Sequence, residues 1–493
     1  MSKRTLIILI ALVLLIGAAV TVGAVAWLVL NWETFWTWFN SSNDPAKVIQ
    51  CSDVQACHVA HPIVYGLILI LVILTGFAYT TLLERKLLAW LQQRSGPNRV
   101  GPQGLLQPLA DAVKLIFKED IMPDQADPWV YRIAPMLKVV PVLIVVAVIP
   151  LGPDILIPWF DGFWYQVPVG LSDVNVGILW ILGITSLATY GVVLAGWSSN
   201  NKYAILGSLR ASAQMVSYEL SMGITMAVPV MLAGSMSIGD IINQQKYIWQ
   251  WYIWQNPLAG AVLILALFAE VSRSPFDLTE AEQELTAGYM TEYSGMKFAM
   301  FMMAEYIGMI AVSLVAISLF FGGYHLFPVD NMPFLGPLIM IGKVFLFLAF
   351  FIWVRGTLPR VRYDRLMALG WKVLLPLGFL SVAWSAIAVV LRDTSMSLYV
   401  ISSAVFFVVV LAGGFYILRE EGGAEEEEDI YNDPIITGDR SGLGWTVVTL
   451  VGGLIAVPFA IVNGTIGFLE HFGATAQGPS DETAIVSSDQ GGD

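Results

Sequence analysis

The most constraining feature of this chain is the recurrence of apolar runs about as long as a bilayer is thick. One helical crossing needs about 20 apolar residues. Eleven runs approach or meet that length, near 5–30, 62–83, 133–151, 173–195, 212–234, 257–271, 298–321, 336–354, 372–391, 398–418 and 444–468. Within lipid each backbone N–H and C=O must be satisfied inside its own segment, which leaves the helix as the spanning element for such runs. The sequence therefore predicts an all-α, polytopic helical membrane protein. The run at 257–271 is short, and its helix is expected to begin earlier, in the segment containing Trp249, Trp251 and Trp254. The first run follows Lys3 and Arg4 as in a signal peptide. It is too long for a signal-peptide core of roughly 7–15 residues and reads as a retained helix.

Charge is distributed unevenly. Residues 393–493 carry 15 acids and 2 bases, the whole of the net charge of −13, whereas residues 1–392 carry 23 of each. The acidity belongs to a C-terminal appendage that includes EEGGAEEEED at 420–429, a composition typical of solvated, disordered chain. With Ser2, Lys3 and Arg4 placed in the cytoplasm, 21 of the 25 Lys and Arg residues fall at the cytoplasmic face. Lys47, Lys246 and Arg392 fall outside and Lys343 lies within a span. This is the bias that orients membrane proteins. It predicts a multi-pass protein of the cell's inner (plasma) membrane, with its N-terminus and its acidic loops cytoplasmic.

The chain lacks the ligands for most redox centres. A protein-held iron–sulfur cluster generally uses four cysteines, and here there are two, Cys51 and Cys57. His58, His61, His325 and His471 all fall in predicted external segments, so no span offers a haem ligand. The pattern C-x5-C-H-x2-H at 51–61 is open to three readings: a metal site, a disulfide or two unpaired thiols. GPNRVGPQG at 96–104 lacks the preceding strand and the Lys-Ser/Thr ending of a phosphate-binding loop. Electron-transfer cofactors would have to sit in another subunit, no catalytic centre is complete in this chain alone, and neither a metal nor a nucleic-acid partner is expected.

The cytoplasmic loops are more informative. From Leu105 the apolar positions 105, 106, 109, 112, 113, 116 and 117 form one helical face opposite Gln107, Asp111, Lys114 and Lys118. Such a helix is too short and too polar to span and should lie in the membrane interface. Glu219 and Glu305 each lie about two turns inside a predicted span, and Glu270 ends another. A carboxylate in a span costs about 2.5–3.5 kcal/mol on insertion scales. Burial favours the neutral acid, so such groups can exchange protons near neutral pH. They could instead serve as hydrogen-bonded pins between helices. PFDLTEAEQELTAGYMTEYSGM at 275–296 holds five acids and no base. If helical, Asp277, Glu280 and Glu284 share a face and their titrations couple.

These stretches identify a family. ERKLLAWLQQRSGPNRVGPQGLLQPLADAVKLIFKE, SYELSMGI, AEVSRSPFDLTEAEQELTAGYMTEYSGMKFAMFMMAEY and WVRGTLPRVRYDRLMALGWKVLLPL closely resemble the H-type membrane subunit of respiratory complex I, NADH:quinone oxidoreductase. The resemblance covers about 62–391, that family's eight-span core. Residues 1–61 then form an extra N-terminal span and external loop, and 392–493 a C-terminal extension with two further spans and the acidic linker and tail. The resemblance implies a membrane component that forms much of the quinone chamber at the junction with the peripheral arm and couples quinone reduction to proton translocation. It assigns Glu84, Arg85, Lys86, Arg94, Asp277, Glu280, Glu282 and Glu284 to the chamber and junction. Glu219, Glu270, Glu292 and Glu305 would form a proton relay, and Arg355, Arg360, Arg362 and Arg365 would dock the peripheral arm.

It further implies quinone as substrate, with iron–sulfur clusters and flavin held by partners. Those partners are the peripheral-arm iron–sulfur and quinone-site subunits, small neighbouring membrane subunits, antiporter-like subunits and the lipid bilayer. A related component of membrane-bound, energy-converting hydrogenases shares the GPQGLLQPL-type loop, but the full FDLTEAEQEL and TEYSG stretches favour the quinone enzyme. An independent ion transporter built on intramembrane acids is the alternative of a different class. It lacks the support of an internal repeat here.

Overall fold

A computed structural model of the protein describes residues 48–158, 163–277, 287–327, 329, 333–392 and 396–421. The runs at 5–30 and 444–468, the acidic chain beyond Glu421, Lys47, His471, and Glu280, Glu282 and Glu284 lie outside the described residues.

Among the described residues, seven helices are long and apolar enough to cross a membrane. They are α1 (Gln55–Leu91), α3 (Pro128–Ala147), α4 (Gly177–Ser198), α5 (Lys202–Ala233), α9 (Gly295–Phe320), α10 (Leu335–Thr357) and the stretch Tyr363–Val389. In that last stretch, α11 (Tyr363–Ala368) runs through one π-helical segment into α12 (Leu375–Arg392). Other elements complete the chain: α2 (Gln107–Phe117), α6 (Ile238–Asn243), α7 (Tyr252–Gln255), α8 (Pro257–Glu270) and α13 (Met396–Glu421). Each predicted run from 62 to 418 has a helix.

Local chemistry sets the boundaries. The Asp127 side chain accepts the N–H groups of Trp129 and Val130 ahead of α3, and Asn201 accepts that of Tyr203 at the start of α5. Proline follows Asp127 directly at 128, where its missing N–H costs nothing.

Two expected boundaries are corrected. Helix α8 does not begin in the Trp-rich segment, which forms a 3₁₀ turn at Ile248–Gln250 and the single turn of α7. Asn256, at φ −141° and ψ 81°, breaks the chain there, and its side chain caps α8 by accepting the Ala259 N–H. Helix α1 is longer than the predicted run at both ends. His58 and His61 sit on its first turns, and Glu84, Arg85 and Lys86 are helical instead of opening a loop.

The chain divides into two compact units, residues 1–65 with 153–169, and residues 66–152 with 170–493. The first contains the departure from an all-α fold, a three-stranded sheet in the order β1 (Val48–Gln50), β3 (Trp164–Val167), β2 (Ile155–Pro158). β1 runs parallel to β3, with Val48 opposite Trp164, and β2 runs antiparallel to it. In the same unit Cys51 and Cys57 form a disulfide with Cα atoms 5.3 Å apart. Of the three readings of that loop, the structure shows the disulfide, which leaves neither sulfur as a thiolate.

The second unit is a helical bundle centred on α9. Its most apolar window is 78% buried, against 17% for α1, whose apolar side chains mostly face outward as a lipid-contacting helix's should. The core joins Tyr131 and Ala134 of α3, Val192 and Ala195 of α4, and Ala211 and Met215 of α5 to Tyr289, Tyr293 and Phe301. Close approach is made by small residues. A Cβ on Gly207 of α5 would lie 2.6 Å from the Gly288 Cα, so the turn at Gly288–Met290 packs directly on α5. The C-terminal helix α13 docks through a Trp384 indole N–H donated to Ser403 Oγ at 3.1 Å, with the Trp384 and Phe406 rings stacked 4.4 Å apart.

Helix α2 lies where the periodicity places it. Leu105, Leu106, Leu109, Val113, Ile116 and Phe117 are all exposed apolar side chains.

Candidate functional site

The site begins where α8 ends. Glu270 is its last residue, and the chain turns at once through Ser272 and Arg273. Arg273 is 3% exposed and lies between two acids from distant segments. Its Nε is 2.7 Å from Glu305 Oε1 on α9, and its Nη1 is 3.7 Å from Glu84 Oε1 on α1. Arg355 of α10 also pairs with Glu84. The Arg273 guanidinium packs 4.4 Å from the Tyr306 ring centroid. Burying one such charge alone would be prohibitive, and the alternation of two arginines with two glutamates makes the cluster tolerable.

Beyond Glu305 is a cavity of about 60 Å³, whose walls include Lys138, Thr185, Met215, Glu270, Ser272 and Glu305. That is room for a few water molecules, each needing about 10–15 Å³ by this measure, with the polar groups of Lys138, Thr185, Glu270, Ser272 and Glu305 set among mostly apolar walls. Lys138 is 9% exposed, its Nζ lies 3.8 Å from Met215 Sδ, and it interacts electrostatically with Glu270 and Glu305. Glu270 Oε2 is buried with no hydrogen-bond partner among the described residues. Glu219 on α5 interacts electrostatically with Glu270 and accepts hydrogen bonds from Ser186 and, at 3.5 Å, from Thr185.

The array thus contains four acids (Glu84, Glu219, Glu270, Glu305) and three bases (Lys138, Arg273, Arg355). Fully ionised it would carry one excess negative charge, which a single added proton would neutralise.

The predicted residues do not all assemble there. Glu219, Glu270 and Glu305 do. Glu84 joins them, 5% exposed, instead of standing at the mouth of a loop. Arg355, expected at the docking surface, pairs with Glu84, because a buried carboxylate attracts the nearest guanidinium. Glu292 is elsewhere. Its carboxylate accepts from Asn201 Nδ2 at 2.6 Å, its carbonyl accepts from the Tyr131 hydroxyl at 2.7 Å, and it lines an open cleft with Asp124, Gln125 and Lys202.

Other predicted residues lie at the same loops. Arg85 pairs with Asp111 at 2.7 Å and ties α1 to α2. Lys86 is half-buried on α1, and Arg94 donates to Gln92. Asp277, half-buried, is the last described residue before the acidic loop. Arg362 pairs with Asp364 at 3.3 Å in an exposed setting, Arg365 is exposed and Arg360 half-buried. The backbone of that basic loop reaches the base of the acidic one, Val361 N–H donating to Pro275 O at 3.0 Å.

The far side of the acidic loop is fixed by aromatics. The Tyr131 and Tyr293 rings stack 4.1 Å apart, and Tyr293 OH lies 3.2 Å from Tyr131 O. Burial pushes the Tyr293 hydroxyl up to about 12, so it stays protonated and donating at physiological pH. Ser294 accepts the Ile121 N–H at 2.8 Å, and Lys297 pairs with Asp120 at 2.8 Å, latching the two loops together.

Sequence reasoning misses Lys138, Arg273, Thr185 and Ser186. Lys138, grouped there with the bases of the cytoplasmic face, stands inside the run 133–151, and a lysine within a span is costly enough to mark it. Nothing local distinguishes Arg273, whose partners lie 32 and 189 positions away.

Comparison with known proteins covers this whole region. The family model described as NADH dehydrogenase matches residues 64–386. The first H-type subunit of the NADH-quinone oxidoreductase of Geobacter metallireducens is 48% identical over 322 residues, 65% of this chain and 94% of that protein. The second H-type subunit of the same enzyme in Geobacter sulfurreducens is 48% identical over 312 residues, 63% of this chain and 91% of its own length. Its counterpart in Koribacter versatilis is 46% identical over 344 residues, covering 66% and 96%.

Proposed function

The chain belongs to the NADH dehydrogenase family, and from that membership we propose that it is the quinone-site membrane subunit of a proton-translocating NADH:quinone oxidoreductase. Quinone is the substrate. Electrons arrive from iron–sulfur clusters and flavin in peripheral-arm subunits, and protons are passed toward small and antiporter-like membrane neighbours. In this reading the basic and acidic loops face the cytoplasm and the peripheral arm. Glu84, Arg85, Lys86, Arg94, Asp277, Glu280, Glu282 and Glu284 then border the quinone chamber, while Arg360, Arg362 and Arg365 hold the peripheral arm. The Cys51–Cys57 disulfide suits the opposite, oxidising side.

The observation that carries the proposal is the array of four acids and three bases, of which Lys138, Glu270 and Glu305 line one small, mostly apolar cavity. Quinone reduction consumes two electrons and two protons, so the site beside Asp277 and Glu84 becomes more negative until protons arrive, or once neighbouring acids have given theirs up. Arg273 touches Glu84 and Glu305 together, and a change of one charge at 4 Å is worth about 4 kcal/mol at an effective dielectric constant of 20. Moving a charge across 100 mV takes about 2.3 kcal/mol. The coupling available is therefore of the size the task requires, and Glu305, Glu270 and Glu219 are the groups that would carry it inward. Glu292, held by Asn201 at an open cleft, would exchange protons at the entrance.

The test is quinone-reductase turnover and proton uptake into sealed vesicles, with Glu270→Gln, Glu219→Gln and Glu280→Gln in the assembled complex. Turnover and uptake are expected to fall together. Parent values for both in the Glu270 and Glu219 variants would defeat the coupling role.

A further inference from the structure

Gln214 is a buried polar group that the proposed function leaves unused. It lies on α5, is 0% exposed, and faces away from Glu219, five positions further along the same helix. Both hydrogens of its carboxamide are engaged. Nε2 donates to Ala269 O at 2.8 Å and to Phe276 O at 2.9 Å. Those carbonyls bracket a tight return of the chain. Ala269 immediately precedes Glu270, Arg273 lies between, and Phe276 immediately precedes Asp277.

One amide therefore closes the segment that presents a cavity acid, the arginine joining Glu84 to Glu305, and the first acid of the loop. One carbonyl comes from the end of a helix and the other from the turn after it, so no single backbone N–H could join them. Seven residues earlier on α5, Gly207 is packed against Gly288. Residues 276 and 288, which flank the acidic loop, are thus both pinned to the helix that carries Glu219, about 10 Å apart along its axis.

We propose that Gln214 is a positioning residue for the quinone-coupled reaction, its carboxamide holding Glu270, Arg273 and Asp277 in register with Glu219. A displacement at the entry of the acidic loop reaches the buried array through this clamp and is measured against α5. The inference rests on the function proposed above and deepens it.

The experiment compares assembled complexes carrying Gln214→Met, which fills the space without donating, and Gln214→Glu, which donates only when its carboxyl is protonated. Turnover, protons taken up per quinone reduced, and the pH profile of that ratio are measured, with Glu270→Gln alongside. For Gln214→Met we expect an assembled complex with turnover lower by about tenfold and a clearly reduced proton-to-quinone ratio. For Gln214→Glu the ratio should recover toward acid pH more steeply than in the parent, which a purely space-filling role would not produce. Parent turnover and ratio in Gln214→Met, or a parent-like pH profile in Gln214→Glu, overturns the proposal. If the Met variant does not assemble, the Glu variant decides on the same criterion. An unaffected Glu270→Gln complex would count against the coupling role on which the clamp rests. A fall in Glu270→Gln with both Gln214 variants unaffected would defeat only the clamp.

Discussion

The two ends of helix α8, about 20 Å apart, are built on opposite principles. At its start, Asn256 is 1% exposed and fully engaged. Its oxygen accepts the Ala259 N–H, and its nitrogen donates to Ser381 O at 3.1 Å and Ser385 Oγ at 2.6 Å. Around it Gln245, Trp384 and Ser403 likewise bond through an amide, an indole and a hydroxyl, and Gln255 donates to Gln250 O while its own oxygen has no hydrogen-bond partner among the described residues. At its other end, Glu270 leaves an oxygen without a hydrogen-bond partner among the described residues, beside a buried lysine and a chain of ion pairs. Neutral groups do not titrate, so their hydrogen bonds give a single arrangement that resists change. Ionised groups in unequal number have more than one arrangement of protons. The contrast separates polar burial that fastens helices from polar burial that can switch.

The sharpest way to break this comparison is Arg273→Met. It leaves Glu84 with Arg355 alone and takes from Glu305 its close cation, and breaking a buried pair costs about 3–5 kcal/mol. The yield of assembled complex and its thermal midpoint should both fall severely. A parent-like yield would mean that the charged end is not balanced by pairing.

Lys138→Met should be milder for assembly, since the facing acids can bind protons, but harsh for function. Turnover is expected to drop about tenfold or more with assembled complex retained, and a parent rate would remove Lys138 from the array. At the neutral end, Asn256→Leu removes a cap and strands its partners. It should lower stability by about 1–2 kcal/mol while the proton-to-quinone ratio at permissive temperature stays at the parent value. A changed ratio would show that both ends belong to one device. The smallest effect belongs to Trp384→Phe, which keeps the stack on Phe406 and loses one interhelical hydrogen bond. About 0.6 kcal/mol is typical of such bonds in membranes, so the midpoint should barely move. A large drop would mean that α13 hangs on this one contact.

Much of this architecture can be read before any coordinate is known. The apolar runs locate nine helices among the described residues, the 3.6-residue periodicity locates α2, and insertion cost alone marks Glu219, Glu270 and Glu305 as exceptional. Other features escape such reading. Hydropathy misplaces the start of α8 because a capping asparagine breaks the helix within a stretch rich in apolar and aromatic residues. Glu84 reads as a loop residue because its charge, beside Arg85 and Lys86, looks like the end of a span. The small sheet goes unseen because three- and four-residue strands carry too little alternation to register. Glu292 resembles its fellow acids in type and neighbourhood along the chain and yet lies at a separate cleft.

The physical division behind these outcomes is simple. A segment crosses a membrane because of its own composition, since lipid obliges each backbone to satisfy itself, and that property is written along the chain. Which charges meet is a property of helix faces. Glu84 and Arg355 are 271 positions apart, and they pair only because α1 and α10 carry them to the same depth on facing surfaces. Lys138 becomes part of an array, and Gln214 a clamp, for the same reason. Hydropathy determined the helices, and packing alone decided their charged partners.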